Sequence, residues 1–280
     1  MMKADILAKI PRQVIYMVMG LAIIVPLIVP IGMAINVMPQ TKKLFDAIDS
    51  LTANSNPVII SCDFDPQSQP ELYPMLQAAL THLFTKNVKV LVMALWPQGA
   101  GMADIALSDV PKLYGKKYGE DYVFLGYKAG GEAVILGLGD RIKNIFPADY
   151  YNTPLDSLPL TAHLTNYRDI SLVISLSAGD PGYRAWLFYG QSKFGIKLGA
   201  GVTAVSAADA YPYLGSGQLV GLFPGMKGAA EYETYLVKHN YKLPTRAATK
   251  AMDAQSLGHL FIMLFIIVGN IGYFIFRRQK

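Results

Sequence analysis

Residues 57–95 read PVIISCDFDPQSQPELYPMLQAALTHLFTKNVKVLVMAL, with the rhythm of a strand, a helix and a second strand. Pro57–Cys62 is a short apolar run rich in β-branched residues, and Val88–Leu95 is another. Between them, Glu71–Thr85 carries apolar residues at helical spacing. Neither run alternates apolar with polar residues, so each strand expects cover on both faces. Strands separated by a helix cannot form a hairpin and pair in parallel.

The same unit recurs downstream. Tyr122–Tyr127 (YVFLGY) predicts a third strand, followed by a helix over Gly131–Ile145. A Pro- and Tyr-rich connection, FPADYYNTPLDSLP, then interrupts the rhythm. Ile170–Ser177 predicts a fourth strand with a helix over Tyr183–Lys193, and a fifth strand lies within Ile196–Ser206. Right-handed crossovers make this an α/β fold with a doubly wound, mainly parallel open sheet, Rossmann-like in type. No fixed short period indicates a solenoid.

Outside this domain, two apolar stretches set the composition. Gln13–Val37 carries no charge, and Leu257–Phe276 ends on Arg277, Arg278 and Lys280 beside Tyr273, Phe274 and Phe276. About 20 apolar residues cross the hydrocarbon core, and aromatics beside a basic stop mark its boundary. N- and C-terminal transmembrane helices are therefore expected to flank the sheet. The domains are a basic tail (1–12), a first transmembrane helix (13–37), the α/β domain (38–256), a second transmembrane helix (257–276) and a basic tail (277–280). Pro26 and Pro30 are expected to kink the first helix, while His259 and Asn270 place polar groups in the second.

The two segments account for a 52% hydrophobic fraction and a mean hydropathy of +0.29 over 280 residues. The net charge of +5 gathers near them, at Lys3, Lys9, Arg12, Lys42, Lys43 and Lys250 among others. Basic tails place both termini in the cytoplasm and the domain outside. The bilayer is the first expected partner. Nucleic acid is not expected, because no basic face interleaved with aromatics runs through the domain. The single cysteine, Cys62, excludes an intrachain disulfide framework and multi-cysteine zinc sites.

Open parallel sheets bind ligands outside the carboxyl ends of their strands. The loops predicted there carry small residues beside polar ones, which lets a ligand approach the backbone. The candidate ligand-binding residues are Asp63 and Asp65 after the first strand and Gly130, Gly131 and Glu132 after the third. Ser177, Gly179 and Asp180 follow the fourth, and Ser206 and Asp209 the fifth. The loop after the second strand contains Trp96 and Gly99–Ala100–Gly101. Asp180–Pro181 also reads as an ordinary helix start, with the aspartate capping and the proline in the first turn.

No catalytic or metal signature emerges. Asp63-x-Asp65 resembles a phosphoryl-transfer pair, but Gln67–Ser68–Gln69 stands where Thr or Val is wanted. Asp104 occupies the place of the small residue that a dinucleotide fingerprint requires. Cys62 has no base placed beside it, and Ser177 and Ser206 lack a G-x-S-x-G elbow. Neither a cofactor nor a metal is expected.

Gly215–Glu233 is rich in glycine. Gly217, Gly221 and Gly225 recur every four residues, which on one helix predicts a groove for close contact with another helix. Pro224 argues for a break there. The leading functional expectation is a membrane-anchored binding or scaffold domain, a homo-oligomer or one subunit of a membrane assembly. The alternative is a membrane-tethered enzyme acting on a small anionic or lipid-headgroup substrate at the strand ends.

Overall fold

The computed structural model describes residues 11–29, 31–33, 35–243 and 245–277, and side chains as far as 274. Pro30 and the outer parts of both basic tails, with Lys3, Lys9, Arg278 and Lys280, lie outside the described residues. The chain divides into two compact units, Ile35–Ala248 and a second built from Met1–Ala34 with Thr249–Lys280.

In the first unit, six parallel strands form one sheet in the order β3-β2-β1-β4-β5-β6. They are β1 (Val58–Asp63), β2 (Val90–Ala94), β3 (Tyr122–Tyr127), β4 (Leu172–Ser177), β5 (Leu198–Val202) and β6 (Gly221–Pro224). This is the Rossmann-like order, with the direction of winding reversing between β1 and β4. The inner strands β1, β2, β4 and β5 are buried throughout, as their unbroken apolar runs require. Register places Asp63 beside Ser177, so the loops after β1 and β4 leave the sheet at the same height.

One face buries Ile59, Leu91, Val123 and Val173 against Val134, Ile135, Trp186, Leu187 and Ala210. The other is covered by helices Pro39–Asp49, Gln69–Thr85, Pro97–Leu113 and Gly225–Lys238. Pro39–Asp49 was not foreseen as an element. Its buried Leu44, Phe45 and Ile48 form an apolar stripe at helical spacing.

Two local expectations need correction. Gly217, Gly221 and Gly225 do not share a helix. Gly217 lies in a turn with φ +78°, Gly221 opens β6, and Gly225 starts the following helix with φ +63°. Close approach of a helix does occur at Gly221: a Cβ there would lie 2.2 Å from the Leu44 nitrogen. The small residue serves a helix packed across a strand. Asp180 is not a helix cap either. The Asp180–Pro181 peptide is cis and the helical segment starts at Tyr183, with Gly182 before it.

Among the described residues, one helix is long and apolar enough to cross a membrane, over Ala247–Phe274 of helix Ala247–Arg277. Within it, the Asn270 amide donates to the Ile266 carbonyl at 2.8 Å, which satisfies that polar group locally. The N-terminal counterpart falls short of the expected span over 13–37. Arg12–Ile28 has 17 residues, or about 25 Å of helix against about 30 Å of hydrocarbon. It stops because Val29 precedes a proline, a position that disfavours helical backbone, and Val29 is extended (φ −118°, ψ 104°). The freed N–H groups of Ile31, Gly32 and Met33 donate to the buried Asp253 carboxylate at 2.9–3.1 Å.

Candidate functional site at the carboxyl edge

Asp63 ends β1 and is fully buried. It accepts hydrogen bonds from the Leu95 N–H at 2.7 Å and the Ser61 hydroxyl at 2.7 Å. Burial pushes its pKa up from 3.8 to about 7, and these donors hold it from going further. Two residues on, Asp65 closes a tight turn instead. It accepts from the Ser68 hydroxyl at 2.6 Å and the Ser68 N–H at 3.0 Å, and these bonds lower its pKa. The two carboxylates therefore do separate structural jobs. No cluster of three or more metal-binding side chains occurs among the described residues.

The loops after β2 and β4 meet at Trp96, and the loop after β3 reaches Pro181. The Trp96 indole N–H donates to the Pro181 carbonyl at 2.8 Å. A Cβ at Gly179 would touch the Trp96 ring at 3.3 Å, and one at Gly131 would touch Pro181 at 3.5 Å. Gly130 and Gly131 both have positive φ, so the turn after β3 needs glycine to pass this close. Glu132 follows, exposed at the head of its helix. Trp96 and Pro181 thereby occupy part of the space between these loops.

Farther along the edge, Ser177, Gly179, Asp180, Ser206 and Asp209 line one cleft with Tyr183 and Arg184. Its volume is about 80 Å³. Arg184 bridges it, pairing with Asp209 at 2.7 Å. Ser177 is engaged by the Tyr183 N–H at 3.1 Å. The expected residues thus reach one edge of one sheet, but as a buried Asp63, a turn at Asp65 and a small cleft beyond β4. Trp96, Tyr183 and Arg184 are the additions that sequence reading did not single out. The signal for Arg184 was a lone cation beside Asp180 in a loop of small residues.

The weak motifs resolve structurally. Gly99 lets its helix settle onto β1, since a Cβ there would lie 1.8 Å from the Cys62 carbonyl oxygen. Cys62 is fully buried, and desolvation raises its pKa well above the usual thiol value. A thiol held neutral is a poor nucleophile. Glu71 accepts from the Ala204 N–H at 2.8 Å and the Met226 N–H at 3.3 Å, tying together the loops after β5 and β6. No known protein family, curated protein or solved structure matches the chain.

Proposed function

We propose that this protein is a membrane-anchored recognition and assembly domain that associates with further copies of itself. The narrowness of the cleft at the carboxyl edge carries this reading. Pockets for small ligands hold roughly 300–1,000 Å³, and the cleft at this edge has about 80 Å³. An enzyme for a small anionic or lipid-headgroup substrate would need depth where Trp96 packs on Gly179 and binds Pro181.

The anchors are Ala247–Arg277, which crosses the bilayer, and Arg12–Ile28, a shorter apolar helix that local thinning of the bilayer accommodates. Both termini lie in the cytoplasm and the domain outside. For the contact surface, the helical segment 183–194 presents Phe188 and Tyr189, 52% and 38% exposed. Phe188 reaches Tyr213 of helix Ala207–Gly215, whose Tyr211 is also exposed. Aromatics at this density suit the centre of a protein interface. The segment is π-helical over Trp186–Gln191, a form that recurs at functional sites.

Native mass spectrometry of the full chain released from mild detergent tests the proposal. The wild type is expected as an oligomer and Phe188→Glu/Tyr189→Glu as a monomer. A monomeric wild type would overturn self-assembly, and an unchanged oligomer in the variant would overturn the surface assignment.

A further inference from the structure

A sizeable cleft lies away from the edge where parallel sheets bind ligands. It lies at the opposite, amino edge of β4 and β5 and encloses about 570 Å³. Its walls come from Asn166, Arg168 and Ser171 ahead of β4 and from Lys193, Phe194 and Lys197 ahead of β5. We infer that this cleft is a binding site for a phosphate-bearing molecule.

Charge is the first argument. Arg168, Lys193 and Lys197 line the cleft and no carboxylate does. Among the described residues, none of these cations forms an ion pair. Of the two acids next to lining residues in sequence, Asp169 is engaged by the Thr165 N–H at 2.7 Å, and Asp140, after Gly139, forms no ion pair with these cations. Three like charges around one concavity repel each other in the empty state and focus a positive potential into it. A dianionic phosphate relieves that repulsion, and a guanidinium beside two ammonium groups suits its oxygens.

Construction is the second argument. Lys193 and Lys197 stand on either side of Gly195, which has φ +70° and reverses the chain between the helical segment and β5. The turn therefore brings both lysines to one rim. Lys193 lies 5.5 Å from the Phe194 ring centre. The ring in turn packs on Gly139, where a Cβ would lie 2.2 Å from it. Phe194, Ile170 and Ile196 supply an apolar wall beside the cations. The volume lies within the range of small-molecule sites. The ligand class is an organic phosphate with an apolar or flat portion, either free in solution or as a lipid headgroup.

This inference does not depend on the assembly reading, and its test is separate. The full chain is placed in phosphatidylcholine nanodiscs and its unfolding midpoint followed with and without pyrophosphate. The same measurement is made in discs doped with phosphatidic acid. Ligand that binds only the folded state raises the midpoint. A rise with pyrophosphate assigns a soluble phosphate, and a rise only with phosphatidic acid assigns a headgroup; either supports the site. In Lys193→Glu/Lys197→Glu the rise should vanish, and in Lys197→Gln calorimetric affinity should fall about tenfold. Lys128→Glu, at the opposite edge of the sheet, should retain both. Lys193 and Lys197 are exposed, so the unliganded midpoints of their variants should match the wild type; Lys128 is half-buried, and its variant is read as the shift over its own unliganded midpoint. No rise in either disc, persistence in the double variant, or equal loss in Lys128→Glu would overturn the inference.

Discussion

Asp63→Asn and His82→Gln should each reveal a pH dependence that the wild type conceals. His82 is buried and neutral, with Nδ1 2.7 Å from the Tyr232 hydroxyl and Nε2 3.2 Å from Asp49. Desolvation lowers its pKa from 6.5 to about 4, against the opposing pull of Asp49. Between pH 4 and 6.5 the unfolded chain binds this proton and the folded chain does not. Stability from His82 is therefore complete above pH 6.5 and is lost as pH falls towards 4. The difference amounts to roughly 3 kcal/mol.

Asp63 works in the opposite sense. Its folded pKa of about 7 exceeds 3.8, so the folded chain holds a proton that the unfolded chain releases. This contribution is complete below pH 3.8 and is lost as pH rises through 7, by roughly 4 kcal/mol. The two slopes nearly cancel across pH 4–7. Asparagine at 63 keeps an acceptor for the Leu95 N–H but removes the titration, leaving the His82 slope exposed. Its unfolding midpoint should rise by roughly 6–12 °C from pH 4 to 7, where the wild type's stays nearly level. His82→Gln should fall over the same interval by a similar amount. The assay is thermal unfolding of the full chain in mild detergent, followed by the fluorescence of Trp96 and Trp186. Variants whose midpoints track the wild type at every pH would refute the opposed-proton reasoning.

Gly221→Leu should destabilise the domain by about 1–3 kcal/mol or more, because its Cβ would fall 2.2–2.5 Å from Leu44 atoms. An unchanged unfolding midpoint would show that Pro39–Asp49 does not sit this close to β6. Asp253→Ala removes the acceptor for the Ile31, Gly32 and Met33 N–H groups. Hydrogen exchange at those amides should accelerate about 100-fold, equivalent to roughly 3 kcal/mol, and unaltered exchange would dismiss the carboxylate as their fastener. For topology, Lys280→Cys in a Cys62→Ala background should resist a membrane-impermeant thiol reagent in intact cells, and ready labelling would reverse the orientation.

The parallel sheet was legible because four of its strands are apolar on both faces and spaced by helices. β6 was not, because Gly221–Pro224 combines glycine and proline, which carry no strand preference. Its glycine reflects Leu44 packing from far away in sequence, which no local pattern announces. Pro39–Asp49 was not legible although its apolar spacing is helical, because Lys42 and Lys43 beside an apolar segment also read as a membrane flank. At the candidate site, small loops at the carboxyl ends were foreseen, and their meeting on one edge follows from parallel topology. That Trp96 sits between these loops was not legible, because its partners, Gly179 and Pro181, come from a loop more than eighty positions away.

The carboxylates separate structure from chemistry across the whole chain. Asp63 holds Leu95, Glu71 holds Ala204 and Met226, Glu231 holds Met38 and Thr41, Glu233 holds Ala248, and Asp253 holds the backbone after Arg12–Ile28. In each case a carboxylate satisfies at least one backbone N–H, joined at Glu231 by the Thr41 hydroxyl, and an N–H left unpaired there would carry a high cost. Asp149 does the same for Tyr151 and Thr153 in the Pro- and Tyr-rich connection. Acids engaged this way are poor candidates for proton transfer or metal binding, because any other task breaks a fastening. Asp180, Asp209 and Glu132 are the exposed acids at the carboxyl edge, and Asp209 already pairs with Arg184. The cations at the amino edge are in the opposite situation. Arg168, Lys193 and Lys197 line one cleft and form no ion pair among the described residues, so a cluster of unmet positive charge lies on the edge that the sheet's own topology does not favour.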